Sequence, residues 1–303
     1  MPDNIYHKQA EMLLRILPSV MREEVFALKG GTAINFFWRN YQQLSVDINL
    51  AYVKIQDRDS TLKEINDRLL KTDNMIKRIY PDAYIQQKKE SNLIYALIVR
   101  VKDATVKIEV NFNMRGSVYE SVKKKSCYKA EKEFELSLSV TTLSFEDLYG
   151  GKICAALDRQ HPRDLFDIKL LFDNEGLTDK IRKAFIVYLI SHGRPMIELL
   201  NPSLKDIKAD FENDFAGMTA EPVNLDDLIN TRLELIKRIK ESLTKDEVKF
   251  ILSVKNKEPE WGLLELEGIG NLPGVKYKLM NLNKMEPKKH KLAYEKLKKY
   301  LMA

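Results

Sequence analysis

Apolar residues recur at two different spacings along this chain, and the spacing changes partway through. Before about residue 140, stretches with apolar residues three or four positions apart are interspersed with short runs in which apolar and polar residues alternate or apolar residues are continuous. The first spacing is typical of amphipathic helices, and the second of strands with a buried face. The pattern predicts helices over residues 7–21, 32–38 and 60–78, and strands over 26–28, 44–53, 84–87, 93–101 and 106–112.

Beyond residue 140 the pattern becomes mainly helical. Ser144 and Asp147 have the spacing of a capping box that opens a helix reaching about Arg159, and His161-Pro162 interrupts before a further helix. Later helical segments are predicted over residues 180–191, 225–242, 244–254 and 287–301. We therefore predict an α+β domain over residues 1–175, followed by a mainly helical C-terminal domain over 176–303.

Composition narrows the class of protein. The 303 residues are 44% hydrophobic and 31% charged, a balance typical of soluble globular proteins rather than of disordered chains. The first four residues, Met-Pro-Asp-Asn, lack the basic and apolar regions of a secretory signal, and no apolar run is long enough to span a membrane. Cys127 and Cys154 fit no disulfide or zinc pattern. These features predict a cytoplasmic protein with reduced thiols and no membrane partner.

The positive charge is concentrated near the C-terminus. The net charge is +6 and the isoelectric point is near 9.0, a modest basic excess. Tyr294 and Tyr300 lie among a group of lysines: Lys284, Lys288, Lys289, Lys291, Lys296, Lys298 and Lys299. This segment has two interpretations: a solvated surface helix, or a surface that faces the phosphates of a nucleic acid.

Two short motifs near the start of the chain carry candidate chemistry. Gly30, Gly31 and Thr32 follow a predicted strand and open a helix, an arrangement that lets backbone N–H groups approach a polyphosphate. Asp47 and Asn49 occupy alternate positions of the next predicted strand, so both side chains point to the same face. Oxygen ligands on one face suit Mg²⁺. The pair predicts a nucleotidyl-transfer site in which Asn49 lacks the charge of a second aspartate.

A third acidic residue has the same kind of alternation. Residues 107–111 alternate polar and apolar side chains, and pairing of the strands would bring Glu109 beside Asp47 as a further metal ligand. The alternative is an ordinary amphipathic strand with a solvent-exposed face, which would leave Glu109 without a catalytic role.

The segment 152–167 supplies the remaining candidates. Lys152 and Arg159 are seven positions apart on the first helix and share a face, and Asp164 and Asp167 are three apart on the second. Arg163 directly precedes Asp164. Either these residues bind phosphates and assist catalysis, or Arg159 and Arg163 pair with Asp164 and Asp167 to hold the two helices together. The two interpretations are compatible, because a rigid site needs supporting salt bridges.

Together, residues 26–32, 45–50 and 152–167 resemble the AbiEii/AbiGii toxin family of nucleotidyltransferases, in the same order and at similar spacing. This family is the toxin half of type IV toxin–antitoxin and phage abortive-infection systems. Residues 261–282 resemble the family's C-terminal region, which extends the likeness over most of the chain.

The resemblance implies a polymerase-β-like nucleotidyltransferase core, a mixed sheet flanked by helices, with a helical C-terminal domain. It also implies a nucleoside triphosphate substrate, Mg²⁺, a cognate antitoxin and an RNA acceptor, which in some members is the 3′ end of tRNA. Residues assigned to nucleotide binding are Gly30, Gly31, Thr32, Ser45, Lys152, Arg159, Arg163 and Asp164. Residues assigned to metal binding are Asp47, Asn49 and Glu109, and those assigned to catalysis are Asp47, Asn49, Glu109, Lys152 and Asp167.

Asn49 departs from the family's Asp-x-Asp pattern, because an amide offers a carbonyl oxygen without a negative charge. From the resemblance as a whole, the leading hypothesis is still an active transferase that attaches a nucleoside monophosphate to RNA. Two alternatives stay open. The chain is a relative that binds a nucleotide without transferring it, or an interaction protein that binds RNA or a partner through its basic helices.

Overall fold

The computed structural model describes residues 5–112 and 114–303 of the chain. The first four residues, on which the predicted lack of a signal segment depends, lie outside the described part. Internal contacts divide the chain into two compact units, which are described separately. The first comprises residues up to Leu148 together with Gly217–Glu221, and the second comprises Tyr149–Ala216 together with Pro222–Ala303. The domain boundary predicted after residue 175 falls inside the second unit and stays a prediction.

The first unit contains a sheet with helices beside it. Its helices are α1 (Ile5–Met21), α2 (Gly30–Ala33), which continues as a π-helix (Ile34–Trp38), α3 (Arg58–Ile79) and α4 (Tyr128–Phe134). Its strands are β1 (Phe26–Lys29), β2 (Asp47–Tyr52), β3 (Tyr84–Glu90), β4 (Leu93–Val101), β5 (Ala104–Val110), β6 (Val122–Lys125) and β7 (Ser139–Thr142).

Within the described residues these seven strands form one mixed sheet, in the order β3-β4-β5-β2-β1-β7-β6. Strand β2 is antiparallel to β1 and parallel to β5, and it lies in the middle of the order. The mixed sheet flanked by helices confirms the predicted fold class. The strands β6 and β7 were not predicted, because four residues are too few for an alternating pattern to be distinctive.

The hydrophobic core of the first unit follows the predicted periodicities. The α1 residues that recur at helical spacing are all buried, namely Ala10, Leu13, Leu14, Ile16 and Leu17. Ile48 and Leu50 of β2 are fully buried, whereas Asp47 and Asn49, which alternate with them, are partly exposed. The sheet therefore buries its apolar face under α1 and presents the two polar residues on the other side.

At the start of the next helix, the half of the predicted capping box in which Ser144 caps the helix through its side chain is present. The Ser144 Oγ accepts a hydrogen bond from the Asp147 backbone N–H at 3.0 Å and donates to Asp147 Oδ2 at 2.9 Å. Asp147 also accepts hydrogen bonds from the backbone N–H groups of Val118 and Tyr119, both at 2.9 Å. The Asp147 carboxylate thus binds the N-cap serine of this helix and also holds the loop after β5.

The second unit is helical, as predicted for the C-terminal part of the chain. Its elements are the main part of α5 (Phe145–Arg159), then α6 (Pro162–Asn174), α7 (Asp179–Ser191), α8 (Met196–Leu200), α9 (Lys208–Asp214), α10 (Leu225–Ser242), α11 (Lys245–Lys255), two 3-10 turns (Trp261–Leu264 and Ile269–Asn271), α12 (Pro273–Asn283) and α13 (Pro287–Met302). Across the described residues, no helix has both the length and the apolar character that crossing a lipid bilayer requires.

Candidate active site

The glycine pair forms the tight turn in which β1 passes directly into α2, as the first two residues of that helix. Gly30 has a φ of 73°, in the left-handed region that favours glycine. A Cβ added to Gly30 would lie 3.3 Å from Asn49 Nδ2, and one added to Gly31 would lie 3.3 Å from Ser45 Oγ. The turn therefore packs directly against Asn49 of β2 and against Ser45, which lies two residues before the strand. Glycine is favoured at Gly30 for both conformational and steric reasons, and at Gly31 for steric reasons.

Thr32 connects the turn to β2 through its side chain. Its hydroxyl is fully buried, lies 2.7 Å from Ser45 Oγ and donates to the backbone carbonyl of Asp47 at 2.5 Å. The side chains of Thr32 and Ser45 are thus engaged with each other and with the first residue of β2. Their effect in this structure is to fix the position of Asp47. Direct nucleotide contacts by these two residues stay a prediction.

We expect the Gly30→Ala substitution to lower the free energy of unfolding by about 1–2 kcal/mol, the usual penalty for a left-handed L-residue. Crowding against Asn49 adds to this penalty. Urea denaturation of the purified protein measures it. Gly193→Ala is the matched control, because Gly193 has no atom within 4 Å of the added Cβ and no positive φ. Equal stability of the two variants would contradict the tight packing of the turn.

The strand register decides which acidic residues meet on the polar face of the sheet. Asn49 pairs with Glu109 of β5, and Asp47 pairs with Lys107. The prediction that Glu109 lies beside Asp47 is therefore wrong: the partner of Glu109 is Asn49, two residues further along β2. Asn49 also pairs with Lys29 on its other side, so it lies between a lysine and a glutamate. The sequence pattern showed which face each side chain occupies, but the register depends on long-range pairing.

The donor set on this face suits a hard cation only in part. Two carboxylates, Asp47 and Glu109, and the amide oxygen of Asn49 are ligands that Mg²⁺ accepts. Lys107 Nζ lies 2.6 Å from Glu109 Oε2, which offsets the charge of that glutamate. Within the described residues, no group of three or more His, Cys, Asp or Glu side chains comes together as a metal site. The residues therefore fit Mg²⁺ as a site that a bound nucleotide must complete.

The second unit contains a buried cluster built from α5 and α6. The Lys152 side chain is 8% exposed, and its Nζ lies 2.8 Å from Asp164 Oδ1 and 2.9 Å from Asp167 Oδ2. Arg159 Nη2 lies 2.7 Å from Asp164 Oδ2. The structure thus brings together four of the predicted residues. Of the predicted salt bridges, Arg159–Asp164 is confirmed, whereas Asp167 pairs with Lys152 and not with an arginine. The catalytic role of the cluster stays a prediction.

The charges of this cluster hold one another in the ionised state. Burial acts to lower the pKa of Lys152, but the charges of Asp164 and Asp167 outweigh it, so that pKa is raised. Burial acts to raise the pKa of Asp164, but Lys152 and then Arg159 outweigh it, so that pKa is lowered. The cluster therefore contains an ammonium and carboxylates whose charges are already compensated.

The two arginines of the segment are more accessible than Lys152. The Arg159 side chain is 63% exposed, although it pairs with Asp164. Arg163 is partly exposed and forms no ion pair with any residue in the described part of the chain. His161, between them, caps α6 by accepting the Arg163 backbone N–H at 3.2 Å. Arg163 is thus the cation of this segment whose charge is least compensated by the protein.

Sequence reasoning missed two residues that position α5. Gln160 is buried, and its amide bonds the Ser203 carbonyl at 2.8 Å, the Lys205 N–H at 3.0 Å and Arg232 Nη1 at 3.0 Å. A Cβ on Gly150 would lie 2.8 Å from the Cβ of Ala184, so α5 and α7 approach closely there. The Gly-Gly pair at 150–151 was a detectable signal of that approach. Nothing in the local sequence distinguished Gln160.

Comparison with known proteins identifies the family. The model of the nucleotidyl transferase AbiEii toxins, of type IV toxin–antitoxin systems, matches residues 12–267. The chain belongs to the AbiEii toxin family. MenT4, a nucleotidyltransferase toxin from Mycobacterium tuberculosis H37Rv, is similar in structure at a TM-score of 0.59 and 14% identity, covering 90% of this chain and 94% of MenT4. At this identity the likeness shows the fold. No curated protein sequence matches the chain.

The AbiEii match includes all the candidate residues, from Gly30 to Asp167. It ends at residue 267, so part of the predicted C-terminal resemblance, residues 268–282, and the lysine-rich segment after it lie beyond the matched region. The AbiEii assignment confirms the predicted family and its nucleotidyltransferase toxin character. It does not test the role of any single residue.

Proposed function

We propose that this AbiEii family protein is a Mg²⁺-dependent nucleotidyltransferase toxin that transfers a nucleoside monophosphate from a nucleoside triphosphate to RNA. The observation that carries the proposal is the packing of the Gly30-Gly31 turn against Ser45 and Asn49. This packing sets backbone N–H groups of a helix start next to a face with Asp47 and Glu109. Such an arrangement suits a polyphosphate with its metal ion.

In the proposed reaction an acceptor hydroxyl attacks the α-phosphorus and pyrophosphate leaves, so one P–O bond forms and one breaks. Bound Mg²⁺ would supply charge neutralisation on the phosphates. The residues of the chain orient the substrate and take up the hydroxyl proton. Between the two predicted bases, accessibility favours Glu109, whose side chain is 35% exposed, over Asp167, which is 1% exposed and paired with Lys152.

The basic residues of segment 152–167 have different roles in this proposal. Because Asp164 and Asp167 already compensate Lys152, we assign it mainly to positioning α5 and α6. Arg159 and Arg163 are the more exposed cations of the same segment and would contact phosphate oxygens. Such contacts are charge-assisted hydrogen bonds.

RNA is the proposed acceptor, with the 3′ end of tRNA as the first candidate. Support comes from α13 (Pro287–Met302), where the predicted helix is present. Six of the seven lysines of this region are exposed: Lys284, Lys288, Lys289, Lys291, Lys296 and Lys299. An exposed row of cations is the electrostatic footprint of a nucleic-acid-binding surface. Family membership supports a cognate antitoxin as the cytoplasmic partner.

The proposal is tested by incubating the purified protein with each labelled nucleoside triphosphate, Mg²⁺ and total RNA. We expect one nucleotide to become attached to RNA, chiefly in the tRNA fraction. Expression should arrest growth, and an inactive variant should not. Labelled RNA that forms equally without the protein, or no labelled RNA with any nucleotide, would contradict the transfer reaction.

The amide of Asn49 favours a second candidate, a protein that binds a nucleotide without transferring it. The Asn49 amide and the Lys107–Glu109 ion pair both reduce negative charge where a metal ion would bind. In that case a triphosphate would raise the melting temperature, through binding to the folded state alone, while no product forms.

We expect Asn49→Asp to increase the transfer rate by about tenfold or more, because a second carboxylate on β2 strengthens metal binding and the substitution is isosteric. The transfer assay at limiting Mg²⁺ measures it. Asn92→Asp, at an exposed turn in the same unit, makes the same charge change and is the control. An unchanged or lower rate in Asn49→Asp would show that the amide does not limit the reaction.

A further inference from the structure

A cavity of about 520 Å³ lies in the first unit, separate from the residues of the candidate site. Its lining comes from α1, from residues 41–44, from α4 and from residues 217–220. None of the described residues that line it belongs to the glycine turn, β2 or β5. Its volume falls in the range of pockets that hold small organic ligands.

The walls of the cavity are held by backbone hydrogen bonds. Leu44 N–H donates to the Met218 carbonyl at 2.8 Å, and Ala220 N–H donates to the Gln42 carbonyl at 2.9 Å. Gln43 and Thr219 form an isolated bridge between them. Residues 217–221 are distant in sequence yet belong to this unit by their contacts. The cavity is therefore a built feature of the first unit.

Gln43 is the most informative residue in this lining. Its side chain is 3% exposed, and its Nε2 has no hydrogen-bond partner among the described residues. A buried amide donor without a partner is costly, so such groups are rare in folded proteins. A hydrogen-bond acceptor that enters the cavity would remove this cost. Gln43 thus points to a ligand with an acceptor group.

The charges around the cavity are mostly positive. Lys129 and Lys132 of α4 are exposed and form no ion pair within the described part of the chain. Glu133, the acidic residue of the lining, shares a hydrogen bond of 2.8 Å with His7. Two lysines against one glutamate leave a net positive charge beside the cavity, which favours an anionic ligand and a phosphate group most of all.

Tyr41 adds an aromatic wall and another donor. Its ring stacks on Phe36 with 5.2 Å between ring centroids. Burial, with a contribution from Glu133, raises the pKa of the Tyr41 hydroxyl, so this group stays protonated. An aromatic ring and an amide side chain are the groups with which proteins stack on nucleobases and hydrogen-bond their edges.

We propose that this cavity binds a nucleoside monophosphate, with the phosphate at Lys129 and Lys132 and the base near Gln43 and Tyr41. The volume exceeds the size of a free phosphate ion, and the donors lie on different walls. The proposal does not depend on the transfer reaction. It assigns a second nucleotide site that is distinct from the one at the glycine turn.

Isothermal titration calorimetry on the full-length protein tests the proposal, with AMP, GMP, CMP, UMP, ribose 5-phosphate and inorganic phosphate as separate titrants. We expect at least one nucleoside monophosphate to bind more tightly than ribose 5-phosphate and phosphate. Gln43→Met and the double variant Lys129→Met/Lys132→Met should each weaken that binding at least about tenfold. The lysine variant is at exposed positions, so folding is not at risk.

Lys63→Met/Lys71→Met is the matched control, because both lysines are exposed on α3 of the same unit and make the same charge change. Its affinity should stay within about twofold of the unmodified protein. The proposal is overturned by absence of binding at millimolar concentration, by equal affinity for phosphate alone, or by affinity that both cavity variants leave unchanged. Binding lost in Asp47→Ala but kept in the cavity variants would also overturn it, by placing the mononucleotide at the transfer site.

Discussion

Replacing Asp47 with alanine is expected to lower the rate of nucleotidyl transfer by at least about a thousandfold, because the proposed reaction depends on charge neutralisation at the phosphates. Asp47 begins β2 and is held in place by the hydrogen bond from Thr32 to its carbonyl. With Asn49 neutral and Glu109 paired with Lys107, no equivalent carboxylate on the β2–β5 face can replace it. Transfer of labelled nucleotide to RNA measures the loss.

Asp103→Ala is the control for this variant, because Asp103 is an exposed carboxylate in the turn between β4 and β5 of the same unit. It should keep full activity. The melting temperature of Asp47→Ala should stay close to that of the unmodified protein, since Asp47 is only partly buried. Activity that survives the loss of Asp47 would remove it from the proposed mechanism.

Replacing Lys152 with methionine is expected to reduce the free energy of unfolding by about 3–5 kcal/mol, the range for breaking a buried ion pair on one side. Asp164 and Asp167 are 3% and 1% exposed, and each lies within 2.9 Å of Lys152 Nζ. Without the ammonium their charges would be buried with too little compensation. Urea denaturation at pH 7 measures the loss.

The triple variant Lys152→Met/Asp164→Asn/Asp167→Asn separates lost charge balance from lost packing. We expect it to recover most of the stability, because the uncompensated carboxylates are gone. Arg159→Met should have a small effect, since its side chain is 63% exposed. Stability that is as low in the triple variant as in Lys152→Met would show that the charges are not the cause.

The two proteins should respond differently to acid between pH 7 and pH 5. In the unmodified protein the pKa of Asp164 is lowered by Lys152 despite burial, so its contribution is present above the unfolded pKa and is lost as the pH falls through the folded pKa. In Lys152→Met, burial would raise the pKa of Asp164 above its unfolded value, so acidification from pH 7 to 5 should recover stability, whereas the unmodified protein keeps the Asp164 contribution over that range. A parallel loss in both proteins would contradict this account.

The sequence determined the features that depend on local spacing. The apolar residues of α1, the alternation of Asp47 and Asn49 with buried Ile48 and Leu50, and the side-chain cap by Ser144 are all present as predicted. The glycine pair also begins a helix directly after a strand. These features follow from helical and strand periodicity and from backbone preferences, which neighbouring residues carry by themselves.

Only the tertiary structure decided which residues meet. The register of β2 against β5 placed Glu109 beside Asn49 rather than Asp47, and residues 217–221 joined the first unit from far along the chain. The contacts of Thr32 with Ser45, and of Lys152 with both Asp164 and Asp167, likewise depend on packing between elements. Periodicity shows the face on which a side chain lies, whereas its neighbour on that face depends on how separate elements pair and pack, which no local pattern records.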